Sequence, residues 1–201
     1  MLESGTTGGG EHANNMKVIS SVADRTKPSL LESPIWNPEA GLMWIDIRQQ
    51  QIWRYVNEHA ASWRIVTESA FASAIVRTSK PNKQNWMAVN SLGLLGRAVG
   101  KVTDTVELQA VFENSLVEGA NVRTNDGKVA PDGSLWIGTM ADPPVGYAGS
   151  LYRVGWERGQ LTVNAIRRGV TISNGIAWTT QSYGFYYIDT ALRRIEFASV
   201  N

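Results

Sequence analysis

Three polar residues recur at matching places in three similar stretches: Glu32 in Glu32-Ser-Pro-Ile-Trp36, Asn125 or its neighbour Asp126 after Arg123-Thr124, and Asn174 in Asn174-Gly-Ile-Ala-Trp178. One carboxylate with amide oxygens is an all-oxygen donor set, which suits a hard divalent cation such as Ca²⁺, Mg²⁺ or Mn²⁺ better than a soft one. Carboxylate oxygens also serve Zn²⁺. Taken singly, Asn-Asp-Gly and Asn-Gly are ordinary turn sequences and Glu32 is an ordinary solvated strand end. Their shared register is what makes them a candidate site. Other chemistries fall away quickly. There is no cysteine, which removes thiolate nucleophiles, thiolate metal sites and disulfides. The two histidines, His12 and His59, sit in a Gly-rich leader and a polar turn with no partner to make either a base or a ligand. No G-x-S-x-G elbow is present, so a Ser-His-Asp hydrolase has no support.

The elements that must position these residues are read from the stretch Arg123 to Met140. It carries two turn signals, Asn125-Asp126-Gly127 and Pro131-Asp132-Gly133, and an apolar run ending at Gly138, a pattern that predicts two short antiparallel strands. The same figure recurs. Glu32 to Trp36 leads through a turn at 37–41 into Leu42 to Asp46, and Asn174 to Trp178 through a turn at 179–184 into Phe185 to Asp189. A weaker copy runs from Phe71 to Val76, through a turn at 78–84, into Asn85 to Val89. Third strands follow at 51–55, 93–97, 149–153 and 193–197, and more polar fourth strands at 62–66, 106–110 and 160–164. Four strands per unit at a period of roughly 40 to 50 residues is the signature of propeller blades, whose first strands line a common axis. Glu32, Asn125 or Asp126, and Asn174 then face one channel although they are distant in the chain.

Composition agrees with a globular chain. Of 201 residues 43% are hydrophobic and 18% charged, enough to build a sizeable core. The formal charge is +1 with no basic run, which gives no footing for nucleic acid or an anionic membrane surface. No span of roughly 20 apolar residues is present to cross a membrane. Residues 1–16 predict a disordered leader without a signal-peptide pattern, 17–201 the folded domain, and Lys17 to Val22 a first strand; with no export signal the expected location is the cytoplasm. Trp36, Trp44, Trp86, Trp136 and Trp178 fall at repeated strand positions and are expected to fill the space between sheets; Trp63 and Trp156 are expected over blade edges.

The motifs Glu32-Ser-Pro-Ile-Trp36 with Trp44-Ile-Asp46, Arg123-Thr-Asn-Asp-Gly-Lys-Val129 with Pro131-Asp132-Gly133 and Gly138-Thr-Met140, and Ile172-Ser-Asn-Gly-Ile176 with Tyr187-Ile-Asp189, resemble those of the gluconolactonase, regucalcin and luciferin-regenerating-enzyme family. The resemblance implies an all-β fold, a six-bladed β-propeller with one divalent metal on its axis, and hydrolysis of sugar-acid lactones. It makes Glu32 and Asn174 metal ligands, places Asn125 at both metal and substrate and puts Arg123 on the substrate; the adjacent Asp126 is expected to help hold either the loop or the metal's water shell. Three departures stand out. Leu31 replaces the family's glycine. An acidic substrate-binding residue is expected where Pro143 stands, with Asp142 next to it. The remaining metal ligand and general base, an aspartate on the following blade, is expected beyond Asn201. About four blades are expected in 17–201, where a six-bladed ring needs close to 300 residues at this period. An open arc, a closed smaller ring and a fragment of a longer product all fit that length, and exposed blade edges would favour self-association. The leading function is a metal-dependent sugar-acid lactonase. The alternative is a non-catalytic propeller that binds Ca²⁺ or a protein.

Overall fold

The computed structural model describes residues 29–37, 41–49, 51–56, 59–66, 72–77, 86–90, 95–99, 105–112 and 121–200, with backbone alone from 54 to 112. The expected leader, the strand at 17–22, the turn at 78–84 and the side chains of His59, Trp63 and Trp86 lie outside the described residues. Fifteen strands are described. The first unit comprises β1 (Leu31–Asn37), β2 (Gly41–Asp46), β3 (Gln51–Val56) and β4 (His59–Val66), and the second β5 (Ala72–Arg77), β6 (Trp86–Asn90), β7 (Leu95–Val99) and β8 (Thr105–Phe112). The third comprises β9 (Val122–Val129), β10 (Leu135–Ala141), β11 (Gly149–Glu157) and β12 (Gln160–Val170). The fourth has β13 (Ser173–Trp178), β14 (Gly184–Asp189) and β15 (Arg194–Ser199).

Each unit is an antiparallel meander, and the first strands β1, β5, β9 and β13 pack beside one another in chain order. These are four propeller blades with their first strands innermost, at the places the repeat predicts. Two details differ. The outermost strands β4 and β8 pair in parallel over Arg64 to Val66 and Thr105 to Glu107, so the first two blades form one eight-stranded sheet. Two neighbouring outer edges thereby satisfy part of each other's backbone, which an exposed edge otherwise leaves to water. The second difference concerns Asn125-Asp126-Gly127, which is not a turn. It lies inside β9 as a bulge, where Asn125 and Asp126 together oppose Gly138 and pairing resumes at Gly127 opposite Ile137. Pro131-Asp132-Gly133 does turn the chain, with Gly133 at φ +84° and the Asp132 carboxylate accepting from Ser134 N at 2.9 Å.

The third and fourth blades are joined by a core of Trp136, Leu151 and Val170 against Ile176, Phe185 and Tyr187. Trp136 meets Trp178 and Phe185 edge-on, with centroids 5.0 and 4.9 Å apart. Burying each such large side chain is worth about 1.5–3 kcal/mol, so this face holds the two blades as one body. Trp44 stacks on Trp53 in the first blade. Trp36 departs from expectation at 68% exposure. Its counterpart Trp178 packs on the preceding blade, and among the described residues no blade stands on that side of Trp36. Trp156 is also exposed.

Two fully buried aspartates lock the blade ends. Asp46 accepts from the backbone N–H groups of Ser29, Leu30 and Gln49, and Asp189 from those of Thr171, Ile172 and Ala191. Both close the second strand of a blade onto the segment that enters its first strand. Among the described residues no helix is long and apolar enough to cross a membrane.

Candidate functional site

The residue after each second strand donates its backbone N–H to the segment leading into the first: Ile47 to Leu30 O, Asp142 to Asn121 O and Thr190 to Ile172 O. Counting two residues on from each acceptor gives Glu32, Arg123 and Asn174. Strand pairing gives the same three, opposite Ile45, Met140 and Ile188 respectively. The equivalent of Glu32 and Asn174 in the third blade is therefore Arg123, and Asn125 and Asp126 sit further along in the bulge. The sequence repeat aligned Asn125 because it matched polar residues and not strand pairing. All four inner strands carry a register shift just inward of this level, between Glu32 and Ile35, Ala72 and Ala74, Thr124 and Gly127, and Asn174 and Ile176. A bulge re-aims side chains, and in the third blade it begins one residue further along, after Thr124.

Arg123 is buried at 8% exposure and its guanidinium is fixed by three bonds. Its Nε donates to Asp142 Oδ2 at 2.8 Å, and its Nη1 to Thr124 O at 3.0 Å and Asn125 Oδ1 at 2.9 Å. Asn125, at 7% exposure, also donates its Nδ2 to Ser173 O at 2.8 Å across the blade boundary. An amide held at both ends cannot swing, so Asn125 ties the guanidinium to the start of β13. Asp142 is half-exposed and caps this line at its outer end.

The blade boundary is unusually close there because of glycine. A Cβ at Gly138 would lie 1.8 Å from Ser173 Oγ and 2.2 Å from Ser173 Cβ. Ser173 is fully buried, and its hydroxyl accepts from Tyr187 O–H at 2.7 Å. Burial, with the negative charge of Asp189 adding to it, pushes the Tyr187 phenol up to about 12 against the Ser173 bond and the Arg167 charge, so it stays a donor at neutral pH.

On the other wall, a cavity of about 400 Å³ is lined by Glu32, Ser33 and Ile35 of β1, Asp126 and Lys128 of β9, and Gly175 of β13. Desolvation raises the Glu32 carboxyl above its ordinary value and the nearby Asp126 raises it further, against the Ser33 amide and the Arg123 charge. Asp126 is raised by desolvation too, although its Oδ1 accepts from Gly127 N at 2.8 Å. Two partly desolvated carboxyls facing one cavity are a poor arrangement alone and a fitting one for a divalent cation, whose charge offsets both. Among the described residues no three acidic, histidine or cysteine side chains gather at one point, so a cation here also draws on amide and water oxygens. Asn174, next to the cavity-lining Gly175, carries such an oxygen. Its Nδ2 donates to Thr190 Oγ1 at 3.1 Å, at the strand level shared with Glu32.

The structure thus brings Arg123, Asn125 and Asp142 into one hydrogen-bonded line, sets Glu32 with Asp126 at the cavity, and puts Asn174 at the strand level of Glu32 on β13, beside β9. Ser173, Tyr187 and Thr190 escaped the sequence reading. Tyr187 and Ser173 stood inside the quoted motifs, but their pairing joins two strands of one blade past the register shift in β13, which period-two patterning does not reveal.

Residues 30–201 match the family described as SMP-30/Gluconolactonase/LRE-like region. The pentonolactonase of Haloferax volcanii is 28% identical over 179 residues, which cover 88% of this chain and 55% of that protein. The solved luciferin-regenerating enzyme superposes with a TM-score of 0.76 at 24% identity, over 90% of this chain and 59% of its own. A calcium-binding protein, regucalcin, from Agrobacterium tumefaciens gives a TM-score of 0.70 at 23% identity, over 90% of this chain and 57% of its own. These two likenesses speak for the fold. The chain spans about half the length of the curated relatives it matches.

Proposed function

The chain belongs to the SMP-30/gluconolactonase/LRE-like family, and from that premise we propose that its site binds a sugar-acid lactone and hydrolyses it with one divalent cation held by Glu32, Asn174 and Asn125. The observation that carries this reading is the common strand level of Glu32, Arg123 and Asn174 around one channel. It assembles an anionic ligand, a cationic binder and an amide oxygen from three blades.

When bound, the cation supplies polarisation of the lactone carbonyl and a more acidic water. The chain's own residues do the rest of the positioning. Arg123, immobilised by Asp142, Thr124 O and Asn125, presents its remaining N–H groups in a fixed direction to ring hydroxyls and the carbonyl. Asp142 spends one oxygen on Arg123 and keeps the other for a substrate hydroxyl. Asn125 has a second lone pair on the oxygen that Arg123 already holds, and this lone pair is its contribution to the cation. The named pentonolactonase among the relatives favours a lactone of a sugar acid over other esters. The metal stays open among Ca²⁺, Zn²⁺, Mn²⁺ and Mg²⁺, which oxygen donors accept according to cavity size.

The test is hydrolysis of gluconolactone and of a pentonolactone by the purified chain above the spontaneous rate. It is run with EDTA and with each of the four cations added back, beside Glu32→Ala and Asn174→Ala. Activity that EDTA and both variants abolish supports the proposal. A folded chain that binds the cation without turnover would refute hydrolysis and leave the non-catalytic binding propeller.

A further inference from the structure

The residue that follows the second strand of a blade reaches the inner-strand residue at the channel level in two blades of this structure. In the third blade Asp142 accepts from Arg123 Nε at 2.8 Å, and in the fourth Thr190 Oγ1 accepts from Asn174 Nδ2 at 3.1 Å. The two pairs are geometrically equivalent, because Asp142 N donates to Asn121 O as Thr190 N donates to Ile172 O. In the first blade the same position is Ile47, which has no polar atom on its side chain, so Glu32 has no such tether from its own blade.

The geometry points to Thr190 as a positioning residue for the cation site, an inference that rests on the reading of Asn174 as a ligand. A primary amide has one oxygen end and one nitrogen end, and only the oxygen can face a cation. Turning Oδ1 to the channel turns Nδ2 outwards, and the Thr190 hydroxyl stands where that nitrogen needs an acceptor. Thr190 is itself held in place. Its N–H is bonded to Ile172 O, and it opens a short 3₁₀ turn, Thr190–Leu192, capped by the buried Asp189. A hydroxyl mounted this firmly biases the amide before the cation arrives. Partners of this kind behind a metal ligand typically change affinity by about 10–100-fold when removed.

The experiment is calorimetric titration of the full chain with Ca²⁺ and with Mn²⁺, comparing the parent with Thr190→Val, Thr190→Ser, Asn174→Ala and Glu32→Ala. Thermal melting in EDTA is recorded for each. Thr190→Val keeps the shape of the side chain and removes the hydroxyl. It is expected to weaken cation binding about tenfold or more, with melting in EDTA unchanged, while Thr190→Ser restores parental affinity. Affinity in Thr190→Val within twofold of the parent, with Asn174→Ala and Glu32→Ala impaired, overturns the positioning role and leaves the ligand assignment standing. Unimpaired binding in Asn174→Ala overturns both, as does a parent that binds neither cation.

Discussion

Substituting Gly138 with alanine strikes a place where the third and fourth blades touch closely, beside the site. The added Cβ would stand 2.2 Å from Ser173 Cβ and 1.8 Å from its Oγ. Rotating the serine relieves the second contact and not the first, so β10 and β13 must part by about 1.5 Å to regain ordinary carbon contact of about 3.5–4.0 Å. That movement separates Ser173 O from Asn125 Nδ2, a buried bond of 2.8 Å across the blade boundary, and rotating the serine breaks its 2.7 Å bond with the Tyr187 hydroxyl of the same blade. Overpacking costs about 1–3 kcal/mol, and a buried polar group left unpaired about 1–3 kcal/mol. Gly138→Ala is therefore expected to lose roughly 2–6 kcal/mol in urea unfolding. Ser173→Gly removes both clashing atoms, leaving Ser173 Cα at 3.5 Å from the new Cβ, an ordinary contact. The double variant should then be less destabilised than the two single losses added together, by more than about 1 kcal/mol in a double-mutant cycle. Gly155→Ala, whose nearest neighbour is 3.4 Å away, is the control that moves little. Additive losses, or a Gly138→Ala chain within about 0.5 kcal/mol of the parent, an ordinary surface-substitution effect, would refute the close-approach argument.

Asp189→Ala strips the acceptor from three backbone N–H groups, at 3.0, 3.0 and 3.3 Å, and is expected to cost about 3 kcal/mol in urea unfolding; a loss under about 1 kcal/mol would contradict the clamp. Tyr187, raised to about 12 chiefly by burial, keeps its proton in the folded chain when the unfolded chain releases it near pH 10. Its contribution is full below pH 10 and declines as the pH climbs towards 12. The phenolate absorbance difference between parent and Tyr187→Phe should accordingly rise with a midpoint near 12, whereas a midpoint at the ordinary tyrosine value would place this phenol in water. Arg123→Lys keeps the charge but cannot reproduce the fork that bonds Asp142, Thr124 O and Asn125 together, so lactone KM should rise about tenfold with kcat changed less. An unchanged KM would remove Arg123 from substrate binding.

The blades were legible because strand alternation and turn residues repeat at a fixed period. Leu42 to Asp46 and Phe185 to Asp189 align residue for residue, and both are second strands ending in a buried aspartate. The exact level of each inner residue was not legible. The bulge in β9 leaves no mark in the polar pattern, and lining up polar residues matched Asn125 to Glu32 while Arg123 matches it in register. The same bulge explains why Asn125-Asp126-Gly127 read as a turn: the residues that favour turns also favour the local kink of a bulge. Trp36 looked like core because it falls at the same repeated strand position as Trp178, but packing belongs to the neighbouring blade and not to the residue. Polar contacts such as Tyr187 with Ser173 within the fourth blade, or Asn125 with Ser173 O across the blade boundary, join residues whose spacing in the chain carries no period of its own.

The measurement that bears most directly on the site is an anomalous difference map from crystals of the chain grown with Mn²⁺. One peak is predicted at the channel, within about 2.0–2.6 Å of a Glu32 carboxylate oxygen and of Asn174 Oδ1, the range for oxygen ligands of hard divalent cations. Density at a surface carboxylate cluster such as Asp132 and Glu157, with none between Glu32 and Asn174, would contradict the assignment of the channel as the cation site.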